Sequence, residues 1–127
     1  MNNDKLVLSY GFDEEEGKRI DIIAKEAGFP SVKEIKNTMG KMTVKEILNG
    51  HAFEVYNCSM PEDKIILFNN FSDSELEKAI RLFRSGFTEM PILAVVTETS
   101  VNWTFERLVN HLSEERKWHK LHNKIGG

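Results

Sequence analysis

The chain has few of the residues that staple or punctuate a fold. Cysteine occurs once, as Cys58, so no intrachain disulfide can form and a reducing compartment is the natural setting. Glycine occurs eight times but never as a Walker pattern or as GxGxxG, which disfavours a nucleotide cradle. No stretch approaches the ~20 apolar residues that span a membrane. Met1–Lys5 offers neither a basic region nor a long apolar run, so the expected location is the cytoplasm. The Asn-Cys-Ser, Asn-Phe-Ser and Asn-Trp-Thr triplets at Asn57, Asn70 and Asn102 are then empty matches to the glycosylation pattern. The excess of one charge over the other is also small, with a formal net of −3. Arg116, Lys117, Lys120 and Lys124 all follow the last acidic residue, Glu115, and without these four the body carries −7. An acidic body does not draw in nucleic acid or an anionic membrane.

What the chain does have is a recurrence. LVLSYGF at 6–12 and IILFNNF at 65–71 open two stretches that run in step for about forty-five residues. In each, an apolar strand ends in Phe, an acidic helix start follows, and a Gly-Phe pair closes the helix, at Gly28-Phe29 and Gly86-Phe87. A second strand and a helix-opening Thr come next, at Thr43 and Thr104. The offsets are 59 for Phe12 to Phe71, 58 for Gly28 to Gly86 and 61 for Thr43 to Thr104, so single-residue gaps reconcile them. Two copies of that length are too few and too long for a solenoid. The expectation is one domain over 1–127, with pseudo-repeats at 5–50 and 64–112 and a helical tail at 113–127. At 127 residues and 40% apolar content the chain can bury one core and no more.

Local signals place the elements. Asp13 with Glu16, and Ser72 with Glu75, have capping-box spacing, and acidic neighbours suit the helix dipole. Ile20, Ile23, Ala24 and Ala27 share one helical face, as do Leu76, Ala79, Ile80 and Phe83, and Phe105, Leu108, Val109 and Leu112. Gly28 and then Pro30 end the first helix, and Thr43 caps a short one through Leu48. Val32 and Ile35, separated by charge, predict a weak peripheral strand. ILAVVT at 92–97 reads as a strand buried on both faces. Residues 51–63 form the linker, in which Phe53 and Val55 suit a short extended piece.

The stretch from about 64 to 116, with IILFNNFS, then PILAVVT, then Asn102-Trp103-Thr104 and a Leu-rich helix, resembles a small bacterial family defined only as a domain of unknown function. The first half reads as its diverged partner, with Met42 where Trp103 stands. The resemblance implies a cytoplasmic bacterial module and brings no catalytic residue or cofactor.

Candidate sites follow from the chemistry-bearing residues. Were all four strands parallel, the loops at Asp13, Asn69, Asn70, Thr97, Thr99, Ser100 and Asn102 would gather on one sheet edge beside helix starts, where open α/β sheets bind ligands. Capping and turn formation explain the same residues without a ligand. His111, Glu115, His119 and His122 lie along one helical strip with groups zinc accepts, yet no second element supplies ligands, and the expectation is no metal. Cys58, with His51 seven residues away, is a lone thiol with no nucleophilic pattern around it. Trp118, Leu121 and Ile125 form an apolar strip rotated about 170° from the Phe105/Leu108/Leu112 face. Either the last helix breaks near 113–117 or its end offers that strip to another surface.

The fold expected is α/β: a duplicated βαβα unit with a four-stranded sheet, either parallel in order 2-1-3-4 or ferredoxin-like in order 4-1-3-2. Both put the fourth strand at an edge, which asks for cover. The leading functional reading is a non-catalytic protein-interaction or regulatory module without cofactor, acting as a homodimer or with another protein. The alternative is a small-molecule binder or enzyme that uses the polar loops. A third, weaker reading is nucleic-acid contact through the basic tail, whose cations equally suit a helix C-terminus.

Overall fold

In the computed structural model the described residues are 5–29, 32–50, 62–87 and 89–126, with side chains described as far as 118. The strands are β1 (Leu6–Tyr10), β2 (Val32–Ile35), β3 (Ile65–Asn69) and β4 (Ile92–Val95); the helices are α1 (Glu14–Ala27), α2 (Val44–Leu48), α3 (Asp73–Gly86) and α4 (Phe105–Gly126). Short 3-10 turns at Asn37–Met39 and Ser100–Asn102 precede α2 and α4, so both halves run strand, helix, strand, turn, helix. The linker positions Phe53 and Val55, with His51 and Cys58, lie outside the described residues.

Three of the four helix starts repeat one local solution. The side chains of Asp13, Thr43 and Ser72 accept from the amides of Glu16, Glu46 and Glu75, and each Glu reaches back to the cap amide. Each box satisfies two amides, and the remaining N-terminal donors still need partners. For α2 and α4 each helix supplies one to the other: Val44 N–H donates to the Trp103 carbonyl at 2.9 Å, and Phe105 N–H to the Met42 carbonyl at 2.8 Å. This reciprocal pair makes an antiparallel bridge between Thr43 and Thr104.

The sheet order is β2-β1-β3-β4. The outer pairs are parallel, but β1 and β3 are antiparallel, with Leu8 opposite Leu67 at the centre of the register. The order agrees with the first of the two expected arrangements, whereas its all-parallel direction and the order 4-1-3-2 are both corrected. The reason is geometric. Like units related by an axis along the strands give a parallel central pair with their first helices on opposite faces. Units related by an axis normal to the sheet give an antiparallel pair with both first helices on one face. Here α1 and α3 share a face, over Val7, Ile66 and Phe68, with Ile20, Ile23, Ala79 and Phe83 buried between. The other face carries α2 and α4, where Leu8, Ile65 and Leu67 meet Val44, Ile47, Phe105 and Val109. Both central strands are therefore buried on both sides.

Two expected faces need adjustment. Ile80 is 37% exposed while its neighbours Ala79 and Phe83 are fully buried, so the α3 face is narrower than its sequence period. ILAVVT is not buried on both faces: Ile92, Leu93 and Ala94 are half-buried and Val95 is 44% exposed, because among the described residues β4 has a neighbour strand on one side only.

Candidate functional site

The antiparallel centre splits the expected polar edge. Asp13 follows the end of β1, whereas Asn69, Asn70 and the Thr97–Asn102 loop follow the ends of β3 and β4 at the opposite end of the sheet. The grouped loops are also occupied with their own backbone. Thr97 and Ser100 cap one another: the Thr97 amide donates to Ser100 Oγ at 2.9 Å and the Ser100 amide to Thr97 Oγ1 at 3.0 Å. Asn102 reaches the Glu98 carbonyl at 3.5 Å, Thr99 opens the 3-10 turn, and Asn70 takes a left-handed φ of 62°. Asn69 is buried on β3. Asp13 closes its capping box and also lines a hollow of about 350 Å³ with Ser9, Lys18 and Glu34. The structure thus places the other six of these residues at one end of the sheet and leaves Asp13 at the opposite end.

The last helix does not break at 113–117; α4 is continuous through the tail. Trp118 is 55% exposed on it, and the side chains of Leu121 and Ile125 lie outside the described residues. Along the histidine strip, His111 Nε2 lies 3.5 Å from Glu115 and the His111 ring meets the edge of Trp103 with centroids 5.4 Å apart. The side chains of His119 and His122 are likewise outside the described residues, among which no cluster of three or more His, Cys, Asp or Glu could hold a metal. Trp103 packs on the α2/α4 core and carries the Arg107 guanidinium 4.2 Å from its ring centre.

Two features remain open. The first is the outer edge of β4. The Ile92 amide donates to the Lys64 carbonyl and the Val96 amide to the Phe68 carbonyl, so alternate residues Ile92, Ala94 and Val96 bond inward to β3. Leu93 and Val95 consequently aim N–H and C=O outward, where the described residues include no further strand. Pro91 has no N–H to offer and the Thr97 amide is taken by Ser100, so the open stretch is bounded on both sides.

The second feature is a cleft at the end where β1 stops and β3 and β4 begin. A polar hollow of about 380 Å³ is lined by Glu16 and Arg19 of α1, residues 62–64, the Glu89–Pro91 segment and Arg116 of α4. A mainly apolar hollow of about 320 Å³ shares Met90, Pro91 and Arg116 with it and continues past Ile92, Leu93 and Leu112, with Glu115 on its wall. Lys64 pairs with Glu16 at 2.5 Å, and this hydrogen bond raises the Lys64 pKa above its ordinary value against the opposing effect of desolvation. Ser113, buried on α4, donates to Asp63. Arg116 donates through Nη2 to the Met90 carbonyl at 2.7 Å, and Arg19 through Nη1 to the Gly86 carbonyl at 3.4 Å while lying over the Phe87 ring. Of the basic tail, Arg116 is thus turned towards the body. No motif announces this cleft; its members come from residues 62–64, 87, 89–93 and separate positions of α1 and α4, which only folding brings together.

Residues 64–118 match the family model of a domain of unknown function (DUF3783). The match begins one residue before β3 and takes in β4, the Glu89–Pro91 segment and Arg116. No curated protein and no solved structure matches the chain significantly.

Proposed function

We propose that the protein is a non-catalytic interaction module that pairs with a second copy of itself through the outer edge of β4. The observation that carries this reading is the bounded edge: two outward residues, Leu93 and Val95, between a proline and an amide already in use. Such a pair is self-complementary. Antiparallel pairing about Ala94 sets Leu93 of one copy against Val95 of the other, and four main-chain hydrogen bonds form with no donor left over. The apolar, half-exposed side chains of β4 supply area at the same place, and Trp118 stands exposed on α4. An exposed apolar edge without cover is an aggregation hazard, and a two-fold pairing removes it.

A cytoplasmic bacterial setting belongs to the same proposal, in keeping with a single cysteine. So does descent of the two halves from one duplicated unit, which their shared element order and shared cap positions support.

Sedimentation equilibrium at high micromolar concentration tests the pairing. The full chain is expected to run as a dimer and Val95→Pro as a folded monomer, since proline removes an outward N–H that the inner ladder does not use. A full chain that sediments as a monomer removes the proposal.

A further inference from the structure

We propose that the cleft beside β4 binds a free α-amino acid with an apolar side chain. This does not rest on the pairing of β4, but Leu93 borders both the pairing edge and the hollow, so ligand and second copy are expected to compete. Within the polar hollow, Glu16 and Lys64 satisfy each other and Asp63 accepts from Ser113. That leaves two guanidiniums, Arg19 and Arg116, and two carboxylates, Glu62 and Glu89, without a direct ion pair among the described residues; Arg19, Glu62 and Glu89 are exposed, and Glu89 also acts on Lys64 through space. A simple anion placed there meets two carboxylates, and a simple cation meets two guanidiniums. A ligand carrying both signs satisfies both.

The third requirement is apolar. An α-amino acid diverges from one tetrahedral carbon into a carboxylate, an ammonium and a side chain, so its site needs a cation, an anion and an apolar wall around one point. Arg116 and Met90 line both hollows, and Glu89 is the residue before Met90. The Met90 carbonyl fixes the Arg116 guanidinium through Nη2, and its other N–H groups remain to grip a carboxylate. The ammonium then falls to Glu89 or Glu62, and the side chain to Ile92, Leu93 and Leu112, which with Glu115 line the second hollow. Volumes of about 320 and 380 Å³ lie at the lower end of the range for small-molecule sites.

Isothermal titration of the full chain with L-leucine, L-isoleucine, L-methionine and L-phenylalanine tests this, with glycine, N-acetyl-L-leucine and L-leucinamide as the comparison set. At least one apolar amino acid is expected to bind saturably. Blocking either its amine or its carboxylate should weaken binding about tenfold or more, as loss of one charged hydrogen-bonding group does. Glycine, with no side chain to fill the apolar hollow, should bind more weakly than any of the four. Arg116→Gln and, separately, Arg19→Gln or Glu89→Gln should each weaken binding, while Lys117→Gln, which removes the same charge one residue along α4, should not. Absence of saturable binding for all four amino acids overturns the proposal. So does N-acetyl-L-leucine binding as tightly as L-leucine, which marks a plain carboxylate site, or unchanged affinity in all three cleft variants. Thermal unfolding of each variant establishes that it is folded before its affinity is read.

Discussion

Gly11 and Gly17 are six residues apart, and the same substitution should act on them with opposite sign. Gly11 has φ 87°, and a Cβ there would stand 2.6 Å from the Asp63 carbonyl oxygen, a backbone atom with little room to yield. Gly11→Ala is therefore expected to destabilise by roughly 1–3 kcal/mol in urea unfolding. Gly17 lies inside α1 with nothing near its missing Cβ, and Gly17→Ala should stabilise by up to about 1 kcal/mol. The helix cost at Gly17 was readable from the sequence. The close approach at Gly11 was not, because Asp63 is fifty-two residues away. Glu75 is a second residue of this kind. Its spacing from Ser72 announces a cap, but the hydrogen bond from Lys5 is the first cause that lowers its pKa from 4.5 to about 2, the Ser72 amide the next. Since the folded value lies below the ordinary one, the stabilisation is complete above about 4.5 and fades as pH falls through about 2. The pair is exposed to solvent and the effect on stability is screened, so the direct measurement is an NMR titration of Glu75. Lys5→Gln should move its midpoint up towards the ordinary value, and an unmoved midpoint would reject the assignment of cause.

Elements were legible wherever a local rule governs them. Capping boxes at Asp13 and Ser72 begin α1 and α3, left-handed Gly28 ends α1, and the α4 face Phe105, Leu108 and Val109 is buried as its period requires. The third capping box, Thr43 with Glu46, has the same spacing and was there to be read. Direction and exposure were not local. Val95 and Ala94 look alike as members of an apolar run, yet Ala94 bonds into β3 while Val95 faces out. At protein concentrations too low for pairing, Val95→Pro should thus leave stability nearly unchanged, whereas Ala94→Pro removes a ladder bond and should cost about 3 kcal/mol or more in chemical denaturation. Equal losses at the two positions would show that β4 bonds its neighbours otherwise. The continuity of α4 is another tertiary outcome. Once Leu112 and Ser113 pack on the body and Arg116 is tied to the Met90 carbonyl, nothing in the next turn interrupts the helix.

For the whole molecule, truncation after Glu115 separates two roles. It removes Trp118 and the tail but leaves β4 intact, so the truncated chain should remain a dimer in sedimentation while losing the Arg116 anchor to Met90 and some thermal stability. A folded monomer would instead transfer the interface from β4 to α4. The sequence by itself determined the repeated order of elements, the caps, the inward faces and the four-stranded α/β class, because apolar period and cap spacing act within a few residues. Only the tertiary structure decided that β1 and β3 run antiparallel, since the unbroken apolar runs through Val7, Leu8, Ile66 and Leu67, buried on both faces, satisfy either direction equally. That one choice placed α1 with α3 on one face and sent Asp13 to the end of the sheet away from Asn69 and Thr97. It also brought Glu16, Arg19, Lys64, Glu89 and Arg116 around a common cleft, an assembly of charges that no spacing along the chain encodes.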